Sequence, residues 1–157
     1  MVVVMVSCSP SVERSDAPDA QPANSDVAAE TIDKLIDQLG AVAGEFTDDV
    51  PPRFSHKELF LEIAAFGEDA VRPLVECFAD DRSTPTTYRG EYLRLGHLCM
   101  TAFRYVAYHE AVDEYGDIDG AWIGSVGLTA SVAELRQAGA AWRAVIDAGQ
   151  YVVYPNL

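Results

Sequence analysis

A chain of 157 residues is the size of one domain. Its 49% apolar and 23% charged residues are a globular composition, which excludes a wholly disordered or collagen-like chain. Eleven lysines and arginines against 25 aspartates and glutamates leave a net charge of −14. Such a surface repels phosphate backbones and argues against nucleic-acid binding.

The chain opens Met-Val-Val-Val-Met-Val-Ser-Cys. Met5-Val6-Ser7-Cys8 resembles the lipobox of bacterial lipoproteins: apolar residues, a small residue, then the cysteine that receives lipid. Met5 stands where leucine is usual. No basic segment precedes it, and Val2 to Val6 is shorter than the roughly 7–15 apolar residues of a secretory signal. A start codon placed too late would account for both departures. Residues 9–25 are rich in Pro, Ser, Ala and Asp, with no aromatic side chain and no periodicity. Such a segment cannot bury enough apolar area to order itself, so it reads as a solvated tether. The expected organisation is a vestigial signal and lipobox at 1–8, a tether at 9–25 and one helical domain at 26–157. The resemblance implies lipid anchoring at Cys8, in a bacterial envelope, with a cytoplasmic protein as the alternative. No apolar run reaches the roughly 18–20 residues that span a bilayer.

From Ser25 the apolar residues recur every three or four positions: Val27, Ile32, Leu35, Ile36, Leu39 and Val42. This predicts a first helix ending near Gly44. Residues 45–54 contain Thr-Asp-Asp-Val-Pro-Pro and are expected to form a loop. Ser55 and Glu58 have the spacing of a capping box, predicting a second helix with Leu59, Phe60, Ile63 and Phe66 on its apolar face. A third helix is expected over about 68–79, with Val71, Leu74, Val75 and Phe78 inward and Pro73 in its first turn. Residues 80–90 are polar and are expected to form a long loop. A fourth helix is expected over 91–109, with Tyr92, Leu95, Cys99, Phe103 and Val106 on its buried face. Ser131 and Glu134 predict the cap of a last helix, striped by Leu135, Gly139, Trp142, Val145 and Ile146. The tail from Tyr151 suits a short extended segment. Sustained period-two alternation is missing, so a sheet is not expected.

Gly67-Glu-Asp-Ala70-Val71-Arg-Pro-Leu74-Val-Glu-Cys77-Phe78-Ala-Asp80 resembles one unit of a HEAT-type helical repeat. Gly67 stands at the turn, Ala70, Val71 and Leu74 at the buried positions, and Asp80 at the closing acid. The helix from Leu59 to Phe66 would be its pair, so the likeness covers about residues 59–80. An eleven-residue loop follows where the next helix should start, and no second copy is legible. The expected fold is therefore all-α: a small irregular α-solenoid or helical bundle of about five helices, HEAT-like in part. The resemblance implies protein binding.

Positive charge collects at residues 83–109, where Arg89, Arg94 and Arg104 face Glu91 alone, a local +2. On the expected fourth helix Arg94, His97, Arg104, Tyr105 and Tyr108 lie opposite the apolar face. They form a candidate partner surface, because arginine and tyrosine anchor interfaces. The competing reading is a solvated face whose arginines pair with neighbouring carboxylates. Asp113-Glu-Tyr-Gly-Asp117-Ile-Asp119-Gly120 invites calcium but fails the EF-hand spacing. His56, His97 and His109 lack zinc-ligand spacing. Cys77 and Cys99 read as small buried hydrophobes, with a disulfide between them the alternative in an oxidising envelope. No nucleophile elbow, phosphate loop or dinucleotide fingerprint occurs, so neither catalytic residues nor cofactor or metal ligands are expected. The functional expectation is a non-enzymatic protein–protein interaction module in the envelope. Its partner is unidentified, and its only contact with membrane is the lipid. The first alternative is an acidic immunity or inhibitor protein acting on a basic toxin or enzyme. The second is a hydrolase or metal enzyme.

Overall fold

The computed structural model describes residues 23–49, 52–110 and 127–155. Helix α1 spans Ala23–Ala41, followed by strand β1 at Glu45–Phe46 and helices α2 at Lys57–Ala64 and α3 at Glu68–Cys77. Strands β2 at Ser83–Tyr88 and β3 at Glu91–Arg94 form a hairpin that runs into α4 at Leu95–Phe103. Strand β4 at Ala107–His109, α5 at Val132–Asp147 and β5 at Tyr151–Val153 complete the described elements. Among these residues no helix is long and apolar enough to cross a membrane. The signal, the lipobox with Cys8 and most of the tether lie outside the described residues, as does the acidic 113–120 segment.

The expectation of an all-α solenoid or bundle is overturned. Among the described residues five strands form two sheets, and the class is mixed α/β. In the first sheet β1 pairs in parallel with β2, and β2 antiparallel with β3. In the second, β4 and β5 form an antiparallel ribbon with Tyr108 opposite Val152. The predicted 80–90 loop is mostly strand because its polarity comes from threonine, a β-branched residue that suits a pleated surface. Thr84 and Thr86 point inward and are buried. Their hydroxyls are satisfied there, Thr84 donating to the Leu93 carbonyl and Thr86 to the Val42 carbonyl, each at 3.0 Å. Pro85 is tolerated in this central strand because the pairing register shifts between Ser83 and Thr87. Arg89 and Gly90 close the hairpin with φ of 53° and 81°, the two positive values that a two-residue turn matching strand twist requires.

Helix α4 is the centre of the core. Leu95 to Met100, Ala102 and Phe103 are all buried, so this helix has no solvated face. That is why it occupies only the middle of the predicted 91–109 span. A helix apolar all round belongs inside, not at the surface. Helix α3 packs chiefly on α4 and α1 and then on α5, while α2 lies on α4 and α1. Leu74 and Phe78 are fully buried in that core, with Phe78 edge-on to Phe103. The end of α3 and the start of α4 approach closely at Gly96, where a Cβ would sit 2.4 Å from the Phe78 carbonyl oxygen. Three residues further on, a disulfide joins Cys77 to Cys99 across a Cα separation of 5.9 Å. Cys99 is buried, as expected, and the bond realises the alternative reading of the pair.

Two capping boxes were expected and one forms. At Ser131 the hydroxyl accepts from the Glu134 N–H at 3.3 Å, and the Glu134 carboxylate accepts from the Ser131 N–H at 2.7 Å. At α2 the cap residue is His56, without a side-chain cap bond. The Ser55 hydroxyl accepts instead from the Glu45 N–H at 3.0 Å, tying β1 to the chain before α2. Phe46 and Phe54, in the span expected to be loop, form a β-bridge with stacked rings 4.7 Å apart.

Candidate functional site

The five residues expected to share one helical stripe are dispersed. Arg94 precedes α4 at the end of β3 and is exposed. His97 lies in the first turn of α4 and is buried, 5% exposed. Arg104 and Tyr105 follow the helix, and Tyr108 sits in β4. Arg104 is exposed as a residue, although burial around its guanidinium lowers its pKa below the ordinary value. Tyr105 is half-buried against Phe60 at 5.6 Å, and Tyr108 against Tyr154 at 4.8 Å. The stripe fails because helical geometry was extended through residues that are strand and turn.

Two of the five, Arg94 and His97, line a groove of about 450 Å³ between the hairpin and the start of α5. One wall is Tyr88, Arg89 and Tyr92 to Arg94; the other is the segment from Leu128 to Val132. His97 fixes the distance between them. Its Nδ1 accepts from the Arg94 N–H at 3.1 Å, so Nε2 carries the proton and donates to the Ala130 carbonyl at 2.9 Å. The imidazole is thus a structural pin. Tyr92, expected on the buried face, is 68% exposed at the rim. Tyr88 was not singled out, and Arg89 was counted in the basic segment but not in the candidate partner surface. The signal was Tyr-Arg-Gly-Glu-Tyr at 88–92, a two-residue turn between aromatic and β-branched flanks.

Most described arginines already hold carboxylates of this chain. Arg72 bonds Asp147 at 2.9 Å, Arg136 bonds Asp81 at 3.2 Å, and Arg82 reaches both Asp80 and Asp37. Arg89 donates to Asp48 at 2.6 Å while its guanidinium lies 5.1 Å over the Tyr88 ring. For Arg72, Arg82 and Arg89 these bonds raise the guanidinium pKa above its ordinary value. Partial burial pushes the Asp80 carboxyl up, but the Arg82 guanidinium and N–H bonds outweigh it and hold Asp80 below its ordinary value. Arg94 differs. Its Nη1 donates to the Asp81 carbonyl at 3.3 Å, and among the described residues no carboxylate lies within ion-pair distance of it, or of Arg143, which is not in the groove lining. Among those residues no three His, Cys, Asp or Glu side chains are grouped to hold a metal ion.

Compared with known protein families, with curated proteins and with solved structures, the chain matches none.

Proposed function

We propose that this chain is a lipid-anchored protein of a bacterial envelope that binds another protein through the β2–β3 rim, without chemistry of its own. The observation that carries the reading is the Cys77–Cys99 disulfide. Disulfides persist in oxidising compartments, and the lipobox-like Met5-Val6-Ser7-Cys8 and the tether after it are the layout that would hold a domain in one. The tyrosines and arginines around the groove are the residue types that anchor interfaces.

The test is made in the native host with the native gene. Wild-type protein is expected in the detergent phase and Cys8→Ser in the aqueous phase. A photocrosslinking residue at position 92 is expected to capture a specific protein that the same residue at exposed position 62 does not. Equal partitioning of the two forms, together with equal crosslinking from both positions, overturns the reading.

The net charge favours a second reading, an acidic inhibitor of a basic toxin or enzyme. With five of the described arginines tied to carboxylates of this chain, the surplus negative charge remains for a cationic partner. Steep loss of association rate with salt would mark it.

A further inference from the structure

Building on the protein-binding reading, we propose that the groove beside β3 receives an extended peptide segment of the partner that carries an acidic side chain, and that Arg94 is the residue that takes the carboxylate. The inference starts from the distribution of guanidinium partners. In a chain with 25 acids and 11 basic residues, Arg72, Arg82, Arg89 and Arg136 each lie within 3.3 Å of a carboxylate. Among the described residues Arg94 has a backbone carbonyl on one of its terminal nitrogens and no carboxylate within ion-pair distance; Arg143 also has no such carboxylate there, but it does not line the groove. A guanidinium has five N–H donors in a planar fork, and a carboxylate is the acceptor that fits the fork.

The surroundings of Arg94 say what the carboxylate must be attached to. The groove holds about 450 Å³. That lies within the range of built ligand sites. Leu93 is buried, Leu128 and Val132 on the opposite wall are half-buried, and Tyr92 stands out between Arg89 and Arg94. An apolar side chain beside the acid therefore finds apolar wall, and the Tyr92 ring offers contact area at low entropy cost. Glu91 lies in the same wall and would repel a second acid at the Arg89 end. The site calls for one carboxylate, at the Arg94 end, within an otherwise uncharged segment.

An extended segment suits the shape, because the groove runs along β3, the last strand in its sheet order. Simple strand addition is limited, since the Arg94 N–H is already given to His97. Side-chain chemistry then supplies the selectivity. The His97 pin holds both walls in place before any ligand arrives, which lowers the ordering cost of binding.

The probe is a fluorescein-labelled, amide-capped heptapeptide of alternating threonine and valine with one central glutamate, beside its glutamine and lysine counterparts. It is titrated into the full chain carrying Cys8→Ser. The glutamate peptide is expected to bind about tenfold more tightly than the glutamine one, the difference one charge-assisted bidentate contact makes, and the lysine peptide more weakly still. Amide shifts are expected at 92–94 and 128–132. Arg94→Gln is expected to abolish the preference for glutamate without moving the melting temperature, because its backbone N–H still reaches His97. Equal binding of glutamate and glutamine peptides, a preference that survives Arg94→Gln, or shifts outside the groove each overturn the proposal. Should position 92 still crosslink a partner while the glutamate preference is missing, the acidic-segment inference falls and the protein-binding reading stands. Should both fail, both fall.

Discussion

The α3–α4 pair and the β2–β3 hairpin are consecutive along the chain and opposite in character. Cys77 in α3 is bonded to Cys99 in α4, and between them the chain leaves the core, forms the hairpin and returns. The pair is dry: Leu74, Phe78, Leu98 and Cys99 are fully buried, and α4 touches the α3 terminus so closely that only glycine fits at position 96. The hairpin is wet. Tyr92 and Arg94 are exposed, and its tip is held by the Arg89–Asp48 ion pair, in which both side chains are about 60% or more exposed. Exposed pairs of that kind contribute about 0–1 kcal/mol, whereas one buried leucine contributes several times as much. Stability and recognition are thus placed in adjacent but separate parts, and substitutions should divide the same way.

The strongest test of that division is Leu74→Ala. Leu74 is fully buried between helices that cannot collapse freely, because the disulfide and the Gly96 contact fix their spacing. The expected loss is about 2–5 kcal/mol in denaturant unfolding, with crosslinking from position 92 retained in the fraction that remains folded. A loss below about 0.5 kcal/mol would place Leu74 outside the load of the core.

The disulfide comes next. Its sequence separation is 22 residues. Closing a loop of that length restricts the unfolded chain by about 3 kcal/mol in the chain-entropy account. The double variant Cys77→Ser, Cys99→Ser should lose roughly that amount in oxidising buffer. Wild type treated with reductant should fall to a similar midpoint. An unchanged midpoint in both would show that the hairpin stays seated on packing alone.

The same contrast explains what was legible in the sequence. Four helical stretches were readable because their apolar residues keep the helical period, and in α2 Leu59, Phe60 and Ile63 are buried although the expected Ser55 cap does not form. Ile32, Ile36 and Leu39 are buried in α1, Val71, Leu74 and Val75 in α3, and Leu135, Trp142 and Val145 in α5. The α5 cap at Ser131 and Glu134 forms as its spacing predicts. The hairpin was not readable from hydropathy, since the inward residues of β2 are threonines whose hydroxyls find carbonyls only after the fold is complete. The site was half legible. Arginine and tyrosine were singled out as interface types, and Arg94 does line the groove. Extending one helix over 91–109 put Tyr92 inside and His97 outside, the reverse of their positions. What misled was α4 itself: a helix buried all round has no solvated stripe to read.

The cap of α5 gives a smaller effect with a defined pH dependence. The Ser131 N–H and then the Ser131 hydroxyl hold the Glu134 carboxylate below its ordinary pKa. A carboxylate whose pKa is lowered by folding stabilises the fold above the unfolded-state pKa and loses that contribution as pH falls through the folded one. Glu134→Gln should therefore lower the melting temperature at neutral pH. The gap from wild type should close as pH is lowered through and below about 4. A gap constant with pH would assign the cap to the hydroxyl alone.

The smallest expected effect falls at the hairpin tip, and it tests the separation from the other side. Arg89 holds a φ of 53°, a region where asparagine is far more at ease than a long side chain. Arg89→Asn relieves that backbone cost. It also removes the Asp48 pair and the guanidinium lying over Tyr88, each an exposed interaction of modest value. The opposing changes should leave stability within about 0.5 kcal/mol of wild type, as for surface substitutions generally. Binding at the rim should respond differently, because the substitution removes one of the groove's two arginines and releases the Tyr88 ring. A chain that melts like wild type but captures its partner severalfold less well is the expected outcome, read by thermal melting and by crosslinking from position 92. A drop in stability comparable to that of Leu74→Ala would mean that the hairpin belongs to the core's cooperative unit, and that burial alone does not divide this molecule.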